Sequence, residues 1–228
     1  MTKSRNPGGD IGGARHLAVR IRKSKGRSAS SHRWLTRQLN DPYVSAAQAE
    51  GYRARSAFKL AELDDRFKIL RPGQRVLDLG AAPGGWSQVA LSRIGDKGKL
   101  VGIDLLEIDP LPGAEFHQLD FLSQDAEEKI EAWLGGGADV VLSDMAGNTT
   151  GHKQTDHWRI IALAEAAFDF AARVLSPGGA FVCKVLRGGT EEALLKRIKQ
   201  SFSDVRHAKP PASRADSAEM YIVAKGFR

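Results

Sequence analysis

Cysteine is almost missing from this sequence: Cys183 is the one thiol in 228 residues. A single thiol excludes an internal disulfide and the paired cysteines of a metal site, and it fits a reducing compartment, so a cytoplasmic protein is expected. No run approaches the roughly 18 apolar residues that span a bilayer. The basic N-terminus has no apolar stretch after it, so neither a membrane anchor nor a secretory signal is expected. Acids are nearly absent from residues 1–40, which hold ten Lys or Arg against Asp10 alone. The Arg- and Ser-rich start also resembles an organellar transit peptide. No internal repeat is visible, and nothing in the sequence calls for a metal.

What is present is charge of opposite sign in separate places. The net charge is +7, yet residues 76–183 hold seven bases against sixteen acids, and residues 184–228 hold ten bases against five acids. An acidic centre thus lies between basic flanks, and basic flanks suggest a polyanionic partner. Residues 1–30, rich in Gly, Ser, Arg and Lys, read as a flexible basic extension, a form that can still bind RNA phosphates. The length suits one further domain over residues 31–228, with a monomer as the default.

From about Ala46 to Phe67, apolar residues recur at three- and four-residue spacings, as in a helix. RPGQ, Arg71 to Gln74, is a turn. Strands and helices then alternate. The predicted strands are 75–79, 99–104, 115–120, 138–144 and 180–186. The predicted helices are 84–94, 123–134 with Ser123 as N-cap, 156–175 stopped by Ser176–Gly179, and 190–202. Two terminal strands, 204–208 and 219–226, have no helix between them and should pair antiparallel. The expectation is an α/β, Rossmann-like fold with a seven-stranded, mostly parallel sheet, an antiparallel last strand and helices on both faces.

The segment VLDLGAAPGGW, Val76 to Trp86, places a glycine-rich loop at the carboxyl end of the first strand, where doubly wound sheets bind ligands. Gly80, Gly84 and Gly85 let the backbone approach a ligand closely, and Pro83 belongs to the same candidate cofactor loop. The spacing is not G-x-G-x-x-G, and no Gly-Lys-Ser/Thr follows, which argues against a nicotinamide dinucleotide and a P-loop nucleotide. Asp78 would repel a pyrophosphate but suits a ligand carrying an ammonium and a sulfonium. That chemistry points to S-adenosylmethionine, and with it to the class I methyltransferase form of the Rossmann-like sheet. Asp104, closing the second strand, can accept from both ribose hydroxyls, and Asp120, closing the third, can accept from an adenine amino group. Each acid taken singly also fits a turn or cap.

Four more residues stand out: Lys59 in RSAFK, Asp144 in LSDMA, Lys184 in FVCKV and Glu219 in SAEMYIV. Lys184 interrupts an apolar strand, where a lysine is costly unless paired or able to reach solvent from the strand end. The motifs GYRARSAFKL, VLDLGAAPGGWSQ, LSDMAGN, LSPGGAFVCKV and SRADSAEMYIVA together resemble the FtsJ/RrmJ family of ribose 2′-O-methyltransferases, from about Ser31 to Ala224. The resemblance is close to the bacterial large-subunit branch, which implies methylation of a uridine ribose in the A-loop of 23S ribosomal RNA in the large subunit. It also implies a Lys-Asp-Lys-Glu catalytic tetrad on Lys59, Asp144, Lys184 and Glu219, and cofactor contacts at Gly84, Trp86, Asp104, Asp120 and Asp144. Gly147 replaces the proline usual in the Met-Ala-Pro-Asn motif, and the basic extension is longer than the family leads one to expect.

The resemblance makes Lys184 the base for the acceptor hydroxyl. If Lys184 instead stays charged, it orients the hydroxyl and stabilises the developing alkoxide. The alternatives are a tRNA or cap ribose 2′-O-methyltransferase with the same tetrad, a non-catalytic RNA-binding assembly factor, and a nicotinamide oxidoreductase. RNA contacts are expected from Arg and Lys between Arg33 and Arg55 and from the loop Lys209 to Arg214.

Overall fold

The computed structural model describes residues 29–146, 152–187 and 192–228. Residues 1–28 of the expected basic extension and the Gly147 and Asn148 positions lie outside the described residues, while Ala29 and Ser30, expected to belong to that extension, already open a helix. Helices α1 (Ala29–Leu39), α2 (Pro42–Glu50) and α3 (Ala57–Phe67) precede strand β1 (Arg75–Leu79). Then come α4 (Gly85–Ile94), β2 (Lys99–Asp104), β3 (Ala114–Gln118), α5 (Ala126–Leu134), β4 (Ala138–Ser143) and α6 (Lys153–Val174). The chain closes with β5 (Leu175–Leu186), α7 (Glu192–Ser201), β6 (Phe202–Ala208) and β7 (Glu219–Phe227).

The seven strands form one sheet in the order β3-β2-β1-β4-β5-β7-β6. The neighbours from β3 to β5 are parallel, and β7 lies antiparallel between β5 and β6. Helices carry the chain back between most of the parallel neighbours, the irregular segment 105–113 does so between β2 and β3, and β6 and β7, also joined by a loop, run antiparallel. Strand order turns about β1, with β2 and β3 on one side and β4 on the other. The crevice beyond the carboxyl ends of β1 and β4 is therefore the topological switch point, where open α/β sheets take ligands.

Alternation along the strands sorts the apolar residues into two cores. Leu77, Leu79, Val101, Ile103, Val141, Phe181 and Val185 face one side and pack with Ile130, Phe168, Phe170, Leu194 and Ile198 of α5, α6 and α7. Val76, Leu100, Val140, Leu142, Val182 and Val223 face the other and pack with Leu60, Leu63, Trp86, Val89 and Ile94 of α3 and α4. The same period of two carries this second face into Asp78, Asp104, Asp144, Lys184 and Glu219. Each polar residue continues a row whose inner members are apolar.

Helix α1 has no counterpart in the sequence reading, several ends shift by one to three residues, and four differences have a visible cause. The helix expected over about 46–67 is two helices. Gly51, at φ 74, ends α2 and donates to the Ala47 and Gln48 carbonyls, while Asp41 caps the start of α2 by accepting from Tyr43 N. The third strand stops at Gln118, so Asp120 stands in the turn beyond it. α5 starts at Ala126 after Asp125, and Ser123 does not cap it; the Ser123 Oγ donates to Asp125 Oδ1 at 2.9 Å. Ser176–Gly179 stops α6 but belongs to β5, where Leu175 pairs with Ala138 and the register shifts before Ala180 pairs with Val140.

Candidate active site

The glycine-rich loop is fastened to β2, since Gly80 N and Ala81 N both donate to Ile103 O, at 2.9 and 3.0 Å. Gly80 has φ 74, and a Cβ there would stand 2.4 Å from Met145 Cγ. The sequence reading turned Asp78 toward a cationic ligand. The structure instead encloses its carboxyl beneath the loop, 1% exposed, where Asp78 Oδ2 accepts from Ser87 Oγ at 2.7 Å. Burial pushes this carboxyl up to about 7; the charges of Asp144 and Asp104 push the same way, and the Ser87 hydroxyl opposes them. Asp104 and Asp144 thus supply the negative charge of the crevice, above an Asp78 that is about half protonated at neutral pH.

Asp104 lies at the open end of β2. Its Oδ2 accepts from Ala82 N and its Oδ1 from Leu106 N, each at 2.9 Å. One N–H per oxygen fixes the carboxylate and leaves lone pairs for two hydroxyls. Asp120 is exposed, with Oδ1 accepting from Leu122 N at 2.9 Å. Leu105, Leu106 and Leu122 beside these acids are 65%, 66% and 63% exposed, which leaves apolar surface for a flat ring to cover. Trp86, expected at the cofactor, is 3% exposed; its Nε1 donates to Ser56 O at 2.9 Å and its ring lies 5.7 Å from that of Tyr221.

Lys59, Asp144, Lys184 and Glu219 come together on the α3 side of the sheet as two ion pairs. Lys184 Nζ donates to Asp144 O at 2.6 Å and to Asp144 Oδ1 at 3.1 Å. Lys59 Nζ lies 2.7 and 2.9 Å from the two carboxylate oxygens of Glu219. Ser213 Oγ also donates to Glu219 Oε1, at 2.7 Å. Burial alone would raise the Glu219 carboxyl, but Lys59, Ser213 and the charge of Lys184 outweigh it and hold the carboxyl below its ordinary value.

Tyr221 joins the two pairs, and sequence reasoning missed it. It pairs with Lys184 across β5 and β7, is wholly buried, and donates its hydroxyl to Asp144 Oδ1 at 2.6 Å. Lys59 Nζ stands 5.7 Å over its ring. Burial first, then the charges of Asp144 and Glu219, raise the phenol well above 10, so it remains a donor. The signal was present in the sequence: Tyr221 is two residues after Glu219 and shares its face of the strand.

Beyond Lys59 and Glu219 opens a cavity of about 330 Å³ lined by Arg37, Arg55, Arg214, Asp216 and Ser217. Asp41, 8% exposed, holds Arg55 at 3.0 Å and Arg214 at 3.1 Å. Not every base near the site faces this opening. Lys209 Nζ donates to the Ala215 and Ser217 carbonyls, and Arg53 is bound to the carbonyls of Pro83, Asp109 and Pro110. The Arg33 side chain lies outside the described residues. Among the described residues no cluster of His, Cys, Asp or Glu could hold a metal ion, and no helix is long and apolar enough to cross a membrane.

The chain is similar to known proteins over its whole length. It is 58% identical to the ribosomal RNA large subunit methyltransferase E of Parvibaculum lavamentivorans, in an alignment covering 100% of this chain and 96% of that protein. It is 57% identical to the protein of the same name from Xanthobacter autotrophicus, covering 100% and 89%. Among solved structures, a ribosomal RNA methyltransferase from Plasmodium falciparum superposes with a TM-score of 0.70 at 31% identity, covering 77% of this chain and 98% of that one. Residues 52–227, from the turn before α3 to the end of β7, match the family described as FtsJ-like methyltransferase, and the chain belongs to that family.

Proposed function

We propose that this chain transfers a methyl group from S-adenosylmethionine to a ribose 2′-hydroxyl of large-subunit ribosomal RNA, with the 23S A-loop uridine as the target. The observation that carries the reading is the joined pair of Lys184–Asp144 and Lys59–Glu219, set beside an acid-lined crevice at the switch point of the sheet. The names of its relatives supply the ribosomal substrate.

The residues present fit the cofactor. Asp104 offers lone pairs to two ribose hydroxyls, and Leu105, Leu106 and Leu122 offer an apolar bed for adenine, with Asp120 beside it. The electronegative crevice suits a sulfonium and an ammonium and disfavours a pyrophosphate. When bound, the cofactor supplies an electrophilic methyl group.

The protein's task is to place the hydroxyl in line and manage its proton. Two of the tetrahedral positions on Lys184 Nζ point to Asp144. The next is left for the acceptor hydroxyl: a lone pair on a neutral amine takes the proton, whereas an N–H on an ammonium holds the acceptor oxygen while its proton passes to solvent. Asp144 orients Lys184. Glu219 and Lys59 place the ribose and balance charge, and the arginines of the cavity hold the flanking phosphates. The setting is the cytoplasm, and the protein acts as a monomer on the large subunit.

The test is transfer of labelled methyl to assembled large subunits, deproteinised 23S RNA and free tRNA, followed by mapping of the modified nucleotide. Label at an A-loop uridine is the expected result. Label on tRNA alone would move the reading to a tRNA ribose methyltransferase, and no label on any substrate would leave an RNA-binding assembly factor.

A further inference from the structure

Arg53 sits among the bases that the sequence assigns to RNA phosphates, yet its guanidinium is turned inward. Its Nη1 donates to Pro83 O at 3.2 Å and to Asp109 O at 2.7 Å, and its Nη2 donates to Pro110 O at 2.7 Å. Pro83 belongs to the glycine-rich loop, and Asp109 and Pro110 belong to the segment after Asp104. Those two segments, which meet through the bond from Ala82 N to Asp104 Oδ2, both border the crevice proposed for the cofactor. Arg53 itself lies in the turn between α2 and α3, six residues before Lys59.

The turn is laid directly on the start of α4. Arg53 N donates to Gln88 Oε1 at 2.7 Å, and Gln88 Nε2 donates to Gly51 O at 2.9 Å, so one side-chain amide pairs with the backbone on both sides of Tyr52. Trp86 Nε1 closes the other end on Ser56 O. A Cβ on Gly84 would stand 2.9 Å from Arg53 Nη1, and one on Gly85 would stand 3.3 Å from Ala54 Cβ. Gly84 and Gly85 are therefore shaped as much by this turn as by any ligand.

We propose that Arg53 is a positioning residue: a latch from the acceptor-side turn that holds the two segments bordering the cofactor crevice at a fixed separation. Three carbonyls from two segments converge on one planar fork, which satisfies them together. A lysine, with a point charge on a flexible stem, cannot reproduce that geometry. The role rests on the cofactor reading above, and it differs from a phosphate contact in what each substitution does.

The experiment compares Arg53→Ala and Arg53→Lys with wild type, and with Arg37→Ala as a phosphate-facing control, on the full chain. S-adenosylhomocysteine affinity is measured without RNA, and RNA affinity is measured across a salt series. The expected result is cofactor affinity weakened about tenfold in both Arg53 variants, the order of one lost charge-assisted hydrogen bond. The salt slope should remain at the wild-type value in both, while Arg37→Ala lowers it by about 0.7. Amide exchange at residues 105–113, without any ligand, should quicken in both Arg53 variants. That last arm reads the latch even if wild type fails to bind the cofactor, a result that would remove the cofactor reading alone. Cofactor affinity within twofold of a binding wild type, unchanged exchange, or rescue of either by Arg53→Lys overturns the latch.

Discussion

The Tyr221 hydroxyl and the Lys184 Nζ both donate to Asp144 Oδ1, at 2.6 and 3.1 Å. One carboxylate oxygen thus sets the position of the residue proposed to meet the acceptor hydroxyl, and it is itself held from the neighbouring strand. Tyr221 and Lys184 are register partners on antiparallel strands, so their side chains leave the sheet together on one face.

This arrangement separates two substitutions. Lys184→Ala removes the group facing the hydroxyl and should lower kcat between about a hundredfold and ten-thousandfold, the range for a positioned acid or base. Tyr221→Phe keeps the ring against Trp86 and removes one donor to a carboxylate, a bond of roughly 1.5–3 kcal/mol. It should lower kcat about tenfold, with S-adenosylhomocysteine affinity held within twofold in both variants. Single-turnover methyl transfer with calorimetric binding reads both. Near-normal turnover by Lys184→Ala would sink the tetrad assignment.

Asp78 makes the fold sensitive to pH in the direction opposite to a surface-paired acid. Its carboxyl titrates at about 7 in the fold, against 3.8 as the ordinary value. Between those limits the folded chain holds a proton that the unfolded chain has lost, so this residue's contribution falls as pH rises from about 4 to about 7 and is flat above. The span corresponds to roughly 4 kcal/mol at most. Asp78→Asn keeps an acceptor for Ser87 Oγ without the charge. Its melting temperature should exceed wild type by more at pH 8 than at pH 5. Melting curves of the two proteins that run parallel with pH would refute the assignment.

Glu219 works the other way. Its carboxyl is held below the ordinary value by Lys59, Ser213 and Lys184 against the opposing effect of burial. A depressed carboxyl stabilises the fold above its unfolded value, and that contribution is lost as pH falls through the folded one. Glu219→Gln should therefore lose most stability relative to wild type at neutral pH, and the gap should close in acid. Urea midpoints at pH 7 and pH 4 measure it, and a gap that widens in acid contradicts the pairing.

The sheet was legible in the sequence because its strands carry long apolar alternations between strong breakers, and the missing helix before the last strand announced its reversal. Boundaries were less so. Gly51 cut a helical periodicity that residues on both sides continued, and Ser176–Gly179 could join a strand through a register shift that turn chemistry does not reveal. Lys59, Asp144, Lys184 and Glu219 were visible as charges interrupting apolar segments or sharing a family motif, and the structure brings the four together. Tyr221 was hidden because a tyrosine in a strand reads as core. Arg53 was hidden because sequence shows a charge but not the carbonyls it meets, 30 to 57 residues away along the chain.

Gly80 connects the loop to the acceptor chemistry through Met145, the neighbour of Asp144. Two separate costs attend Gly80→Ala. At φ 74 any Cβ is strained by about 1–2 kcal/mol, and this Cβ would stand 2.4 Å from Met145 Cγ, so Met145 must move. Moving Met145 displaces the backbone that carries Asp144 O and Oδ1, both of which hold Lys184. Gly80→Ala should therefore lower kcat together with stability. Adding Met145→Ala relieves the contact but not the backbone strain, so the double variant should recover turnover beyond the single one while remaining about 1–2 kcal/mol less stable than Met145→Ala alone. Urea unfolding and single-turnover rates on the four proteins of this cycle decide it. If turnover in the double variant stays at the level of Gly80→Ala, Met145 is not the link between the loop and Asp144.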